Sequence, residues 1–218
     1  MSSPWRQSTR QIFTRISKSE RGGRGFTLIE LLTVVAVIGV LVAILIPTAT
    51  SARIAARRAR TKVQFAQWAM AMEQFRQEYG YYPAVDGERA GHVAPEYFAG
   101  ALTGLTFDGL SAPTSGRLAG NDRQLRFYRI GEDEVNADRS GLTDAFGNTD
   151  IAVLCDRNGD GLITAADGAV VGVRGQDSES EFVPAERDLN LGTGVRAGVI
   201  FYSAGRGTGA SDLVFSWK

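Results

Sequence analysis

The sequence has few of the residues that stabilise a protein through disulfides or zinc. Among its 218 residues there are one cysteine, Cys155, and one histidine, His92. A single cysteine excludes an intrachain disulfide, and one cysteine with one histidine cannot form a Cys/His metal cluster. Stability must therefore come from a hydrophobic core or from another kind of metal. We interpret Cys155 as a small buried hydrophobe and His92 as a loop histidine.

Net charge is also lacking, because 24 basic residues balance 24 acidic ones. The balance is uneven along the chain: residues 1–25 contain six basic side chains and one acidic side chain, a net +5, so the remainder is −5. A basic stretch before an acidic body is typical of a targeting leader. An apolar content of 44% with 22% charged residues excludes a chain that is disordered throughout. We expect no nucleic-acid partner.

Residues 26–46 form a long apolar run with a single charge, Glu30. A helix of this length spans about 30 Å, which matches the hydrocarbon core of a bilayer. A secretory signal has a shorter apolar region, of about 7–15 residues, and is cut after small residues. Residues 49–51 and 50–52 would suit such a cut, so removal of the run is an alternative. Lys and Arg are nearly equal in number on its two sides, and the positive-inside rule therefore assigns no orientation.

The sequence RGFTLIELL at residues 24–32 resembles the prepilin peptidase signal of type IV pilins and pseudopilins. The resemblance implies cleavage after Gly25, N-methylation of Phe26 and retention of the apolar helix. Glycine suits this position because the absence of a Cβ lets the protease backbone approach the scissile bond. The implied partners are a prepilin peptidase, other pseudopilin subunits forming a homopolymer, and an inner-membrane assembly platform.

Glu30 has two interpretations. A carboxylate inside an apolar helix is costly and normally requires a partner. The resemblance implies that this partner is the N-terminal amine of a neighbouring subunit, which gives Glu30 a role in assembly. Alternatively, Glu30 lies one turn inside the membrane and reaches the water of the headgroup region.

Beyond Pro47 the apolar residues recur at the spacing of one helix face. Gly80 then ends the pattern. We therefore predict one helix from residue 26 to about 79, with a transmembrane half at 26–46 and an amphipathic half at 47–79. Pro47 resembles the proline that bends pilin helices, and the helix as a whole resembles a pilin stalk. The predicted buried face consists of Ile54, Thr61, Phe65, Trp68, Met72, Phe75 and Tyr79.

Residues 80–218 are expected to form a globular head. A short helix is predicted near residues 95–105 and is followed by five β-like runs at 125–130, 151–155, 169–173, 195–203 and 213–217. The predicted class is α+β, with a long N-terminal transmembrane and amphipathic helix packed on a small antiparallel β-sheet head. Residues 143–148 and 199–217 resemble a turn and the closing hairpin of the major pseudopilin of type II secretion.

The segment DRNGDGLITAAD at residues 156–167 fits the twelve-residue calcium loop of EF-hand or dockerin type. Gly161 permits the sharp turn at the sixth position, and Ile163 supplies the apolar eighth position. Oxygen-rich ligands suit a hard cation, so we predict a structural Ca²⁺. The predicted ligands are Asp156, Asn158, Asp160, the Leu162 carbonyl, Thr164 and Asp167.

Together these patterns predict a structural subunit of a type II secretion pseudopilus and no enzymatic activity. A cleaved leader at 1–25 would precede a single-pass anchor in the bacterial inner membrane, with the head in the periplasm and assembly into a periplasmic filament. A type IV pilin or a competence pseudopilin is the nearest alternative. A monomeric, membrane-tethered calcium-binding domain is another. A hydrolase is disfavoured, because no nucleophile motif lies near His92.

Overall fold

A computed structural model describes residues 25–109, 119–185 and 193–217. The basic side chains predicted to form the leader, at positions 1–24, lie outside the described residues. The chain divides into two compact units, residues 1–47 and residues 48–218. The boundary falls at Pro47, inside the first helix, α1, which begins at Leu28 and ends at Tyr79. The predicted helix is thus confirmed, and it begins two residues later than expected.

The first unit contains the apolar part of α1. Every described residue in it is exposed, and large side chains such as Leu28 and Ile38 leave more than half of their surface uncovered. An uninterrupted apolar surface of this kind requires lipid or protein to cover it. Within the described residues, α1 is the one helix that is long and apolar enough to cross a membrane.

The second unit contains the amphipathic part of α1 and the head. The predicted helix face is largely confirmed, since Phe65, Trp68, Met72 and Phe75 are fully buried. Gly80 ends the helix with a positive φ of 85°, a backbone conformation that glycine adopts without a Cβ clash. A second helix, α2, runs from Pro95 to Thr103 and confirms the short helix predicted there.

The head contains a three-stranded antiparallel sheet. Its strands are β1 (Ile151–Cys155), β4 (Val199–Ser203) and β5 (Val214–Phe215), and β4 lies in the middle. Val153 lies opposite Phe201 in the β1–β4 pair. Phe201 contacts α1, because its ring centre lies 5.9 Å from that of Phe65 and 5.6 Å from that of Trp68. The sheet therefore packs on the amphipathic part of α1, as predicted.

A second, two-stranded sheet pairs β2 (Val173–Arg174) with β3 (Glu181–Phe182). It contributes Val173 and Phe182 to a smaller core on the other face of the main sheet, around Tyr202 and Ile163. β3 was not predicted, and the run predicted at 169–173 becomes a strand only at its last residue. Two-residue strands carry too little alternation to be recognised from sequence.

The strand predicted at residues 125–130 is wrong. The backbone N–H groups of Phe127 and Tyr128 both donate to the carbonyl of Leu102, at 2.8 and 2.9 Å. This segment therefore caps the C-terminal end of α2 instead of pairing in a sheet. The predicted run at 195–203 is confirmed from Val199 onward, whereas Val195 forms an isolated bridge with Ile163.

Candidate functional site

The start of α1 places Thr27 and Glu30 in a reciprocal capping arrangement. The Glu30 carboxylate accepts hydrogen bonds of 2.9 Å from both the backbone N–H and the hydroxyl of Thr27. The Thr27 hydroxyl in turn accepts the Glu30 backbone N–H at 3.2 Å. This is a capping box, which satisfies two N–H groups that a helix N-terminus otherwise leaves without partners. The capping box was not predicted, although the Thr-x-x-Glu spacing is a sequence signal for it.

Both predicted processing residues are accessible. Gly25 is exposed, and a Cβ built at this position would meet nothing within 4 Å. Phe26 is 79% exposed. The bond between Gly25 and Phe26 therefore lies on an open backbone immediately before the cap of α1. A protease can reach this bond without unfolding the helix.

The loop predicted to bind calcium has the turn that such a loop requires. Gly161, at the sixth position, has a φ of 81°. Ile163 is fully buried and exchanges two backbone hydrogen bonds with Val195, of 2.8 and 2.9 Å. The apolar eighth position thus fixes the loop to a distant part of the head. Asp156 and Asp167, at the two ends of the loop, are both buried.

The carboxylates of this loop are occupied by backbone donors. Asp156 accepts the N–H groups of Gly159 and Gly161, at 2.7 and 2.9 Å. Asp167 accepts those of Arg157 and Thr164, at 3.0 and 2.8 Å. Burial alone would raise the pKa of Asp167, but these hydrogen bonds hold it below its usual value. The Asp156 oxygens each accept one of these bonds and keep a second lone pair for a cation, whereas Oδ2 of Asp167 also accepts the Thr164 hydroxyl at 3.1 Å.

In the part of the chain that the structure describes, no group of three or more His, Cys, Asp or Glu side chains converges to hold a metal. The loop carboxylates of Asp156, Asp160 and Asp167 therefore do not meet at one point. Asp160 is exposed and accepts the N–H of Leu162 at 2.8 Å and the side-chain amide of Asn158 at 3.0 Å. The calcium site stays a prediction.

A buried carboxylate that was not among the predicted site residues joins three parts of the head. Asp144 lies in the turn at residues 143–148 and is 2% exposed. It accepts the Ser203 hydroxyl of β4 at 2.6 Å and the backbone N–H groups of Phe146 and Asn148, at 2.8 and 2.9 Å. Burial raises the pKa of Asp144, and these hydrogen bonds oppose that shift.

The same turn is attached to α1 and to the second sheet. The Gln64 side chain donates to the Thr143 carbonyl at 2.7 Å, and the Thr61 hydroxyl accepts the Ala145 N–H at 3.2 Å. Asn148 donates to the Gly205 carbonyl and accepts the Gln176 N–H, both at 2.7 Å. The turn is therefore a structural junction, and its two polar α1 residues are buried because they serve it.

The lone histidine is also structural. His92 was predicted to lie in a loop, but it forms an isolated bridge with Ala152 of β1, is 7% exposed, and has its Nδ1 2.7 Å from the Asp150 carboxylate. Burial lowers the pKa of His92, whereas Asp150 opposes this shift.

The single cysteine, Cys155, is half-buried, and desolvation raises the pKa of its thiol to about 12. Its thiolate is therefore scarce at neutral pH.

Comparison with known proteins yields one finding. Residues 21–46 match the family model of the prokaryotic N-terminal methylation motif. No curated protein and no solved structure matches the chain significantly. The matched residues include the Gly25–Phe26 bond, the capping box at Thr27 and Glu30, and the apolar part of α1. The chain therefore carries a type IV pilin-like prepilin signal.

Proposed function

We propose that this protein is a structural subunit of a type II secretion pseudopilus, held in the bacterial inner membrane and polymerised to drive protein export. The motif at residues 21–46 supports a type IV pilin-like or pseudopilin subunit, a structural rather than an enzymatic class. It also implies processing by a prepilin peptidase and assembly with other subunits. The observation that carries the proposal is the position of this motif at the start of an exposed apolar helix.

Two features of the head support the type II secretion assignment over a pilus or a competence filament. The closing pair of strands, β4 and β5, lies where the sequence resembles the closing hairpin of major pseudopilins. The turn at residues 143–148, which also resembles those proteins, joins α1 to the sheet through Asp144 and Gln64. In this proposal the head lies in the periplasm and the filament is built at an inner-membrane platform.

A structural Ca²⁺ in the loop at residues 156–167 is part of the proposal. Support comes from the oxygen-rich ligand set of Asp156, Asn158, Asp160, the Leu162 carbonyl, Thr164 and Asp167. The sharp turn at Gly161 and the bridge between Ile163 and Val195 also favour it. The ion would draw the exposed Asp160 toward the buried Asp156 and Asp167, and so stiffen a loop that otherwise relies on backbone hydrogen bonds.

The decisive experiment is to express the full chain with and without a prepilin peptidase and to measure the intact mass and N-terminal sequence of the product. We expect a mature chain that begins at methylated Phe26 only when the peptidase is present. An uncut chain, or a cut near residues 50–52, would contradict the pilin-like function and leave a tethered or secreted calcium-binding domain.

A further inference from the structure

Three arginines form a row on α1 just after the apolar run. Arg53, Arg57 and Arg60 are spaced by four and three residues, which places them on one face of the helix over about 10 Å. All three are exposed. The neighbouring Arg58 differs, because it turns toward the head and donates to the carbonyls of Ser211 and Asp212, both at 3.3 Å. We call Arg53, Arg57 and Arg60 the arginine row.

No acidic side chain among the described residues pairs with the arginine row. The salt bridges of the head involve other arginines, namely Arg89, Arg123, Arg139, Arg157 and Arg174. Asp133 lines the same groove as Arg57 and Arg60 but forms no ion pair with them. Like charges three and four residues apart on a helix repel one another. Within the described residues, the row is therefore a charged surface without an acidic partner.

A complementary surface exists on the head of the same protein. The loop between β2 and β3 contains Asp177 and Glu179, and β3 begins with Glu181. Asp177 and Glu179 are exposed and form no ion pair or hydrogen bond through their side chains within the described ranges. Only Glu181 has a basic partner, Arg174, at 4.0 Å. We call these three residues the acidic turn.

The two surfaces fit in charge and in size. Residues 177–181 extend at most about 13 Å, close to the length of the arginine row. Three other acids of the head already have basic partners: Glu78 pairs with Arg123, Asp86 with Arg157, and Glu132 with Arg139. Arginine also suits carboxylates, because its planar guanidinium can donate two parallel hydrogen bonds.

We propose that the arginine row of one copy docks on the acidic turn of a second copy of this chain. The inference rests on the proposed assembly function and names the contact that assembly uses. Residues 80–218, which form the head, contain 20 acidic and 12 basic side chains, a net charge of −8. Heads of this charge repel one another, and the row supplies the opposite charge that brings two copies together. The same −8 disfavours an anionic lipid surface as the partner.

Charge reversal in the full chain, expressed with the prepilin peptidase and the assembly machinery, tests this contact. The row variant is Arg57→Glu with Arg60→Glu, and the turn variant is Asp177→Arg with Glu179→Arg. A control matched to the row variant, Arg196→Glu with Arg206→Glu, makes that variant's change in net charge at exposed arginines outside the row. The readout is the fraction of protein that sediments as sheared filament, with near-UV circular dichroism as the check on folding.

We expect the row and turn variants each to lower the sedimenting fraction by about fivefold or more, and the control to behave as wild type. Combining the row and turn variants restores opposite charges and should recover assembly to within about twofold of wild type. Normal assembly of the row variant, or no recovery in the combination, would overturn the contact.

Two further readouts separate the alternatives. Arg60→Cys with Glu179→Cys should give disulfide-linked multimers on mild oxidation, while the high pKa of Cys155 keeps that thiol out of the reaction. Absence of these multimers from wild-type-like filaments would overturn the inference. Loss of binding to phosphatidylglycerol vesicles in the row variant, without rescue by the turn variant, would assign the row to lipid instead. If wild type does not sediment at all, the assembly function itself fails, and the contact with it.

Discussion

At the scale of single residues, Glu30 has an observed local role and a predicted intermolecular one. Its carboxylate closes the capping box with Thr27 within one chain, and the sequence resemblance to type IV pilins predicts a pairing with the amine of a neighbouring subunit. Glutamine can replace glutamate in a capping box, but it cannot pair as a charge. The two roles can therefore be separated by substitution.

We expect Glu30→Gln to retain the helix start and cleavage after Gly25, and to reduce filament assembly by about tenfold, because a charge pair inside lipid contributes about a kcal/mol or more. Glu30→Ala should lose both the cap and assembly. Intact mass reports cleavage, and sedimentation of sheared filaments reports assembly. Wild-type assembly of Glu30→Gln would show that capping is the whole role of this residue.

Asp144 makes the stability of the head depend on pH. Because burial raises the pKa of Asp144 in the folded chain, the folded state holds its proton more tightly than the unfolded state does. This contribution to stability is complete below the usual aspartate pKa of about 4. It is lost as the pH rises through the higher folded-state value.

Asp144→Asn cannot ionise, so its deficit in unfolding free energy relative to wild type should shrink as the pH rises from about 4 to 7. Denaturant unfolding at several pH values, followed by tryptophan fluorescence, measures this difference. A deficit that grows with pH would mean that the hydrogen bonds from Ser203, Phe146 and Asn148 outweigh burial and lower the pKa of Asp144.

At the scale of elements, the core depends on the aromatic contact between α1 and β4. Phe201 is fully buried between Phe65 and Trp68. Phe201→Ala should lower the unfolding free energy by about 3–5 kcal/mol, because it leaves a cavity and loses buried apolar surface. Met70→Ala, on the exposed face of α1, should change it by about 0.5 kcal/mol or less. Equal effects of the two changes in denaturant titrations would contradict this packing.

The loop at residues 156–167 is the second element that can be tested alone. Saturating Ca²⁺ at about 100 times its Kd should stabilise the folded chain by about 2.7 kcal/mol, which raises Tm by roughly 5–10 °C. Asp160→Asn removes one charged ligand at an exposed position and should at least halve this rise. Asp177→Asn, which removes an exposed charge elsewhere, should leave it unchanged. If the Tm of the wild-type chain does not change when Ca²⁺ is added, the predicted calcium site is excluded.

At the scale of the whole molecule, the chain separates into an apolar unit and a folded head. Among the described residues, every buried side chain lies within residues 48–218. We expect a fragment that starts at Thr48 to be soluble without detergent and to retain the near-UV circular dichroism of the head. Aggregation of this fragment in low-salt buffer would show that the head requires the apolar unit.

Much of this organisation follows from local pattern. The apolar run, the helix from Leu28 to Tyr79 and its buried face are determined by residues three and four positions apart. β1 and α2 were likewise predicted close to their observed bounds. The prepilin signal is a contiguous motif, and the family match at residues 21–46 supports it. Such features depend on neighbours in sequence, so the sequence by itself determined them.

Tertiary structure decided the rest, because the contacts involved join residues far apart in the chain. Ser203 donates to Asp144 from 59 positions away, and His92 meets Asp150 across 58. The run at 125–130 has the composition of a strand, but Leu102 accepts its N–H groups and prevents sheet pairing. The arginine row at Arg53, Arg57 and Arg60 is visible in sequence, whereas only the folded structure shows that none of the described acids forms a salt bridge with it. Helical periodicity depends on residues that are close in sequence. Whether a polar or charged group finds a partner depends on the whole fold.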